Sequence, residues 1–192
     1  MLHKSGRLFY VIGASGAGKD SLLNYARQQL KHIPTIAFAH RYITRPASTD
    51  GENHVALSNE EFMVRVSNGM IVMHWQSHGN HYGIGSEINQ WLASGIDVVV
   101  NGSREYLPTA TKLFPEIQPV LIEVSEKVLL RRLLGRKREG PEEIAARINR
   151  SKMISVAEEY PHIHIINNDS ELENAGQEFI KFITMARESE CV

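Results

Sequence analysis

The sequence predicts an α/β fold in which helices cover a parallel sheet, and two observations predict it. Apolar, β-branched runs recur at 8–12, 36–43, 70–73, 97–100, 119–124 and 163–166, with amphipathic helical patterns between several of them. Strands that alternate with helices in this way are covered on both faces, which is the arrangement of a parallel sheet. The second observation is a glycine-rich turn ending in lysine, Gly13-Ala14-Ser15-Gly16-Ala17-Gly18-Lys19-Asp20, set where the first run meets a helical pattern.

In chain order, Leu8-Phe9-Tyr10-Val11-Ile12 forms the first strand, and after the turn Leu22, Leu23, Ala26 and Leu30 recur at helical spacing. A loop that wraps a polyphosphate needs residues without Cβ, so that consecutive backbone N–H groups turn inward on the anion. It also needs a lysine that reaches the outer phosphates. Gly13, Ala14, Ser15, Gly16, Ala17, Gly18, Lys19, Asp20 and Ser21 therefore read as a nucleotide-binding P-loop. The strict pattern ends in Ser or Thr, and here that position is Asp20.

Further on, the pattern changes to short mixed segments rich in Gly, Asn and His, with turns expected at Asp50-Gly51 and His78-Gly79-Asn80. A small substrate-binding lobe inserted over about 36–90 is expected. Leu134-Gly135-Arg136-Lys137-Arg138-Glu139-Gly140-Pro141 is a basic stretch between helical patterns around 125–134 and 141–159, and a mobile lid over phosphates is expected across about 134–146. The core of this single domain then takes about 1–35, 91–133 and 147–192. Leu172, Ala175, Phe179, Phe182, Ile183 and Ala186 form the stripe of a terminal helix that packs on that core.

At 192 residues the chain is long enough to bury a sizeable core in one domain. A net charge of −1 supports neither a broad nucleic-acid footprint nor an anionic-membrane patch, so anionic partners should be small and locally bound. The one cysteine, Cys191, cannot form an intrachain disulfide, which fits a reducing compartment and a cytoplasmic protein. No apolar run reaches membrane-spanning length, and Met1-Leu2-His3-Lys4-Ser5 leads to the first strand without a signal-peptide apolar region. Oligomeric state is not legible.

Phosphoryl transfer needs in-line positioning and positive charge on the oxygens that gain charge. Suitable cations are Lys19 in the loop, Arg41 and Arg45 in the lobe, and Arg132, Arg136, Arg138, Arg147 and Arg150 in the lid region and the helical pattern after it. Arg136 and Arg138, paired in a Gly-flanked segment, suit bidentate phosphate capture, whereas Arg131, Lys137 and Lys152 read as solvated helix faces. His74 and His78 have the spacing of helical metal ligands, but they lie where a strand enters a Gly-rich turn, so no transition-metal site is expected. His162 and His164 read as exposed flank residues.

Arg41-Tyr42-Ile43-Thr44-Arg45-Pro46, then Gly51-Glu52-Asn53-His54, then Tyr82-Gly83, and finally Arg136 with Glu139 and Arg147 follow the order of guanylate kinase motifs over nearly the whole chain. The resemblance implies a P-loop core, a small nucleotide-monophosphate-binding lobe and a mobile lid. It also implies that Arg41, Arg45 and Tyr82 hold the acceptor's phosphate, while Lys19 and the lid arginines serve ATP and the transferring group. The chain departs from the pattern twice. Met73-His74-Trp75 stands where guanylate kinases carry a guanine-reading carboxylate, and an imidazole cannot supply the same double acceptor. Val100-Asn101-Gly102-Ser103-Arg104 replaces a later acidic segment.

With Gly18-Lys19-Asp20-Ser21 and Glu52-Asn53-His54, these departures make the chain resemble the ribose 1,5-bisphosphate phosphokinase family of phosphonate degradation. That resemblance implies conversion of ribose 1,5-bisphosphate and ATP into 5-phospho-α-D-ribosyl 1-diphosphate and ADP. Catalysis would fall to Lys19, Arg136, Arg138 and Arg147, and acceptor binding to Arg41, Arg45, Glu52, His54, His74, Tyr82, Asn101 and Arg104. Mg²⁺ would accompany ATP, with Asp20 as its protein ligand, because a carboxylate beside ATP phosphates is repelled unless a cation lies between them. In the competing account Asp20 is a first-turn residue favoured by the helix dipole, and Ser21 or water serves the metal. Two other functions stay open, a nucleoside monophosphate kinase with altered base recognition and a non-catalytic binding module, although Gly18-Lys19 argues against the second.

Overall fold

The computed structural model describes residues 5–46, 54–135, 140, 142 and 159–188. In order they form β1 (Leu8–Gly13), α1 (Lys19–Gln29), β2 (Ile36–Phe38), β3 (Arg41–Ile43), β4 (Val55–Ala56), α2 (Asn59–Ser67), β5 (Ile71–Ser77), β6 (Asn80–Gly85), α3 (Glu87–Ala93), β7 (Asp97–Asn101), α4 (Leu107–Leu113), β8 (Gln118–Glu123), α5 (Glu126–Gly135), β9 (His164–Asn167) and α6 (Leu172–Glu188). The fold is α/β. Five strands run in the order β2-β7-β1-β8-β9, with β2–β7 and β8–β9 parallel, and a second sheet runs β4-β3-β6-β5. The chain divides into two compact units, Met1–Tyr10 with Lys31–Gln118 and Val11–Leu30 with Pro119–Val192, the boundary falling inside β1.

In the first unit, β7 is buried along its whole length, and its valines Val98, Val99 and Val100 supply the centre of the core. The run at 36–43, expected as one strand, is two, and the break falls at its polar residues His40 and Arg41. Ile36 to Phe38 pairs with Asp97 to Val99, and the Ala39 N–H extends that ladder to the Val99 carbonyl. After His40 the chain enters the second sheet, where Arg41 to Ile43 pairs antiparallel with Ile84 to Tyr82. Periodicity registers burial, and both pieces are buried or half-buried, so a change of sheet within the run leaves no mark on it. The β5–β6 hairpin turns at His78 and Gly79, whose φ values of 49° and 74° are both left-handed, as a primed two-residue turn requires.

In the second unit, β8 and β9 pair from Val120↔His164 to Glu123↔Asn167. Helices α1 and α6 approach closely. A Cβ on Gly176 would lie 2.3 Å from the Tyr25 ring, and Gln177 Nε2 donates to the Tyr25 hydroxyl at 3.0 Å. Phe179 and Ile183 of α6 are fully buried, as a core-packing helix demands. His164 is a correction: it is half-buried, stacked on Phe182 with centroids 3.8 Å apart and planes 5° apart, because the α6 stripe covers that edge of β9. His162 is exposed. The Asp50-Gly51 turn and most of the helical pattern at 141–159 and of the 134–146 segment lie outside the described residues. Among the described residues, no helix is long and apolar enough to cross a membrane.

Candidate functional site

The predicted residues fall into two groups, one in each unit. In the second unit, β1 ends at Gly13 and α1 begins at Lys19, so Ala14 to Gly18 form the connecting loop. Gly13 sits against β8, where a Cβ would come 2.5 Å from the Ile122 carbonyl oxygen. Gly16 and Gly18 have φ of 96° and 89°, a region that L side chains enter only with strain, and Gly18 caps α1 in this left-handed state. The Ala17 N–H bonds the Ala14 carbonyl at 3.1 Å, and Leu22 N–H bonds Gly18 O at 3.0 Å. Lys19 Nζ donates to Gly13 O at 2.9 Å and to Ala14 O at 3.4 Å, which holds the ammonium over the loop. Ser15, Asp20 and Ser21 are exposed, the last two in the first turn of α1.

Two residues from later in the chain complete this loop. Asn168, buried just past β9, donates from Nδ2 to Ala17 O at 2.7 Å, and its own N–H bonds Glu123 O. Arg132, on α5, donates to Ala17 O at 3.2 Å and to Asn168 O at 2.9 Å. The sequence predicts Arg132 as a cation for phosphate and assigns no role to Asn168. A polar pair, Asn167-Asn168, directly after an apolar strand is the signal that marked it. At the helix N-terminus, the backbone N–H groups and the lysine together present the positive charge that a polyphosphate needs.

In the first unit, register separates the lobe's candidates by face. Arg41↔Ile84, Ile43↔Tyr82 and Trp75↔Tyr82 put Arg41, Tyr82 and Trp75 on one face of the second sheet. There the Arg41 guanidinium lies 5.1 Å from the Tyr82 ring centroid. Trp75 stacks on Tyr82 at 5.9 Å with planes 5° apart and meets Tyr106 at 5.5 Å. Burial raises the Tyr106 phenol, while a hydrogen bond with the His74 backbone pulls the other way. His74 pairs with Gly83, so its exposed side chain belongs to the opposite face, with Tyr42. The structure thus brings Arg41 and Tyr82 together and sets His74 apart from them.

His54 is buried and its Nε2 donates to the Arg45 carbonyl at 3.2 Å, which fixes the Arg45 backbone. The Arg45 Nε is buried without a hydrogen-bond partner among the described residues, a donor available to an anion. Asn101 is buried at the end of β7, and Arg104 is half-buried in the loop before α4. Tyr10, absent from the expected set, is fully buried. Its hydroxyl accepts from Ser103 N–H at 3.0 Å and donates to Ser103 O at 3.3 Å, and burial pushes its ionisation far up. Glu52, Arg136, Arg138 and Arg147 lie outside the described residues.

The guanylate kinase family model matches residues 5–186. The chain is 49% identical over 181 residues to a protein named ribose 1,5-bisphosphate phosphokinase PhnN from Thiobacillus denitrificans, covering 94% of each chain. It is 50% identical to a protein of the same name from Psychromonas ingrahamii, over 93% of this chain and 90% of that one. Among solved structures, a guanylate kinase from Anaplasma phagocytophilum superposes with a TM-score of 0.68 at 18% identity, over 97% of this chain and 88% of the other, a likeness of fold.

Proposed function

The chain belongs to the guanylate kinase family and, within it, to the ribose 1,5-bisphosphate phosphokinases, and we propose on that basis that it transfers the γ-phosphoryl group of ATP to ribose 1,5-bisphosphate. An oxygen of the acceptor's 1-phosphate forms the new P–O bond as the bond from the γ-phosphorus to the β-phosphate oxygen breaks. The products are 5-phospho-α-D-ribosyl 1-diphosphate and ADP, formed in the course of phosphonate degradation. The observation that carries the acceptor assignment is the near-full-length likeness to proteins named for that reaction.

The geometry supports each half. Gly13 to Ser21 hold the triphosphate, and Lys19, already poised over the loop, stabilises charge on the oxygens of the transferring group. Arg41, beside Tyr82, and Arg45, with its buried Nε, take the acceptor's phosphate, while Asn101 and Arg104 serve its hydroxyls and second phosphate. His54 acts through the Arg45 backbone that it holds. We read residues 36–90 as the acceptor lobe and, from sequence alone, Glu52 as a further acceptor contact and Arg136, Arg138 and Arg147 as cations for the transferring phosphoryl group. Asp20 and Ser21, exposed in the first turn of α1, offer the hard oxygen donors that suit Mg²⁺. Bound with the nucleotide, that ion would neutralise phosphate charge.

The test is a panel of acceptors, GMP, AMP, ribose 5-phosphate and ribose 1,5-bisphosphate, incubated with ATP and Mg²⁺ while ADP formation is followed. Ribose 1,5-bisphosphate alone should turn over well. Efficient phosphorylation of GMP would overturn the acceptor assignment, since a site lacking the guanine reader leaves polar edges of the base unpaired.

A further inference from the structure

Tyr10 is an anomaly in β1. Its neighbours in the strand are Leu8, Phe9, Val11 and Ile12, all buried and apolar, yet position 10 brings a phenol into the same core at no exposure. A buried hydroxyl needs partners, and this one takes both from one residue, the N–H and the carbonyl of Ser103. It therefore works as a backbone substitute, pairing with the chain just after β7 ends at Asn101. The fit is steric as well as polar: a Cβ on Gly102 would lie 2.3 Å from the Tyr10 ring, so only glycine lets the loop lie against it.

What this loop carries gives the contact its meaning. Asn101 precedes it, Arg104 follows Ser103, and Tyr106 stands at its end against Trp75, which stacks on Tyr82 beneath the Arg41 guanidinium. The Arg41 guanidinium is near enough for its charge to act on the Tyr10 phenol. A continuous run of contacts thus leads from Tyr10 through the 102–106 loop to the face that holds Arg41 and Tyr82.

We propose that Tyr10 is a positioning residue for acceptor recognition: its hydroxyl latches the Ser103 backbone and so sets Asn101, Arg104 and Tyr106 against the Arg41–Tyr82 face, without itself touching the acceptor. The inference rests on the reading of that face as the acceptor site. The role is distinct from core filling, which the ring alone provides. It predicts an effect on the acceptor, because the loop that Ser103 anchors carries acceptor-side residues, whereas the side chains that hold the nucleotide loop are Asn168 and Arg132.

The test is Tyr10→Phe, which keeps the ring and removes the hydroxyl. KM for the acceptor should rise on the order of tenfold, as expected for the loss of a buried neutral hydrogen bond, with KM for ATP within about twofold of the parent value. In the same variant, amide hydrogen exchange at Ser103 should quicken by at least about tenfold while the amides of β1 keep their protection. Acceptor KM is measured with whichever panel member the parent enzyme turns over best. Failure of ribose 1,5-bisphosphate as a substrate therefore registers separately from failure of the latch. An unchanged acceptor KM, an equal rise in both KM values, or unaltered Ser103 exchange overturns the proposal. If Tyr10→Phe does not fold, Gly102→Ala displaces the same loop from the other side. It must then produce the same selective rise in acceptor KM, and its absence overturns the proposal equally.

Discussion

The side-chain amide of Asn168 donates to the Ala17 carbonyl at 2.7 Å, a buried bond between residues 151 apart in the chain. Arg132 reaches the same oxygen at 3.2 Å. The turn before α1 is therefore held by two side chains from elements that follow β8, and its shape does not depend on its glycines alone. Asn168→Ala is expected to lower stability by about 1–3 kcal/mol, the cost of leaving a buried carbonyl short of a donor, and to raise KM for ATP while KM for the acceptor stays level. Urea unfolding and initial-rate kinetics check both parts. A normal KM for ATP would mean that Arg132 is enough to hold the loop.

Gly18→Ala attacks the same contact from the loop side. The new Cβ would lie 2.6 Å from Asn168 Nδ2, in a backbone state with φ of +89°. Left-handed strain of about 1–2 kcal/mol adds to the displacement of the amide. Isothermal calorimetry with ATP should show weaker binding than in Asn168→Ala; equal or tighter binding would contradict this account of the loop.

Lys19→Met removes the ammonium and keeps most of the side-chain length. Its bonds run to the loop carbonyls Gly13 O and Ala14 O, so stability should change by no more than about 1 kcal/mol. Turnover should fall roughly 30- to 1,000-fold, corresponding to about 2–4 kcal/mol of transition-state stabilisation. Loss of less than tenfold in kcat, with the melting temperature intact, would remove Lys19 from the transferring group.

Asp20→Asn should raise the Mg²⁺ concentration needed for half-maximal velocity at fixed ATP, while ATP binding measured without metal tightens or stays level. The carboxylate is repelled by phosphates unless a cation intervenes, so its two effects have opposite signs with and without metal. A titration of velocity against Mg²⁺ at saturating acceptor decides it. If the metal requirement is unmoved while metal-free binding tightens, Asp20 is only a charge near the site.

Arg41→Lys keeps the charge and loses the planar fork that lies over Tyr82. Acceptor KM should rise on the order of tenfold, the effect of losing one arm of a bidentate phosphate contact, with KM for ATP unchanged. A shift in KM for ATP of the same size would place Arg41 on the donor side.

The nucleotide loop is legible in the chain's residues alone, because everything that loop needs is local. Residues without Cβ must occupy Gly16 and Gly18, a lysine must open the helix, and an apolar strand must lead in. All of these lie within consecutive residues. The alternation of strands and helices was legible for the same reason, since burial periodicity is a property of each segment alone. The motif order likewise points to the guanylate kinase family, to which the chain belongs.

Tertiary folding settled whatever depends on a distant partner. It divided the 36–43 run between two sheets, because hydrogen bonds offered by Val99 and by Tyr82 to Ile84 compete for neighbouring residues. It set His74 and Tyr82 on opposite faces, because antiparallel register, and not spacing along the chain, decides which residues share a face. It made Asn168 and Arg132 part of the nucleotide loop, stacked His164 on Phe182, and joined Tyr10 to Ser103 across 93 residues. In each of these a buried polar atom or ring found its partner far along the chain, and that choice depends on folded geometry that no local pattern records.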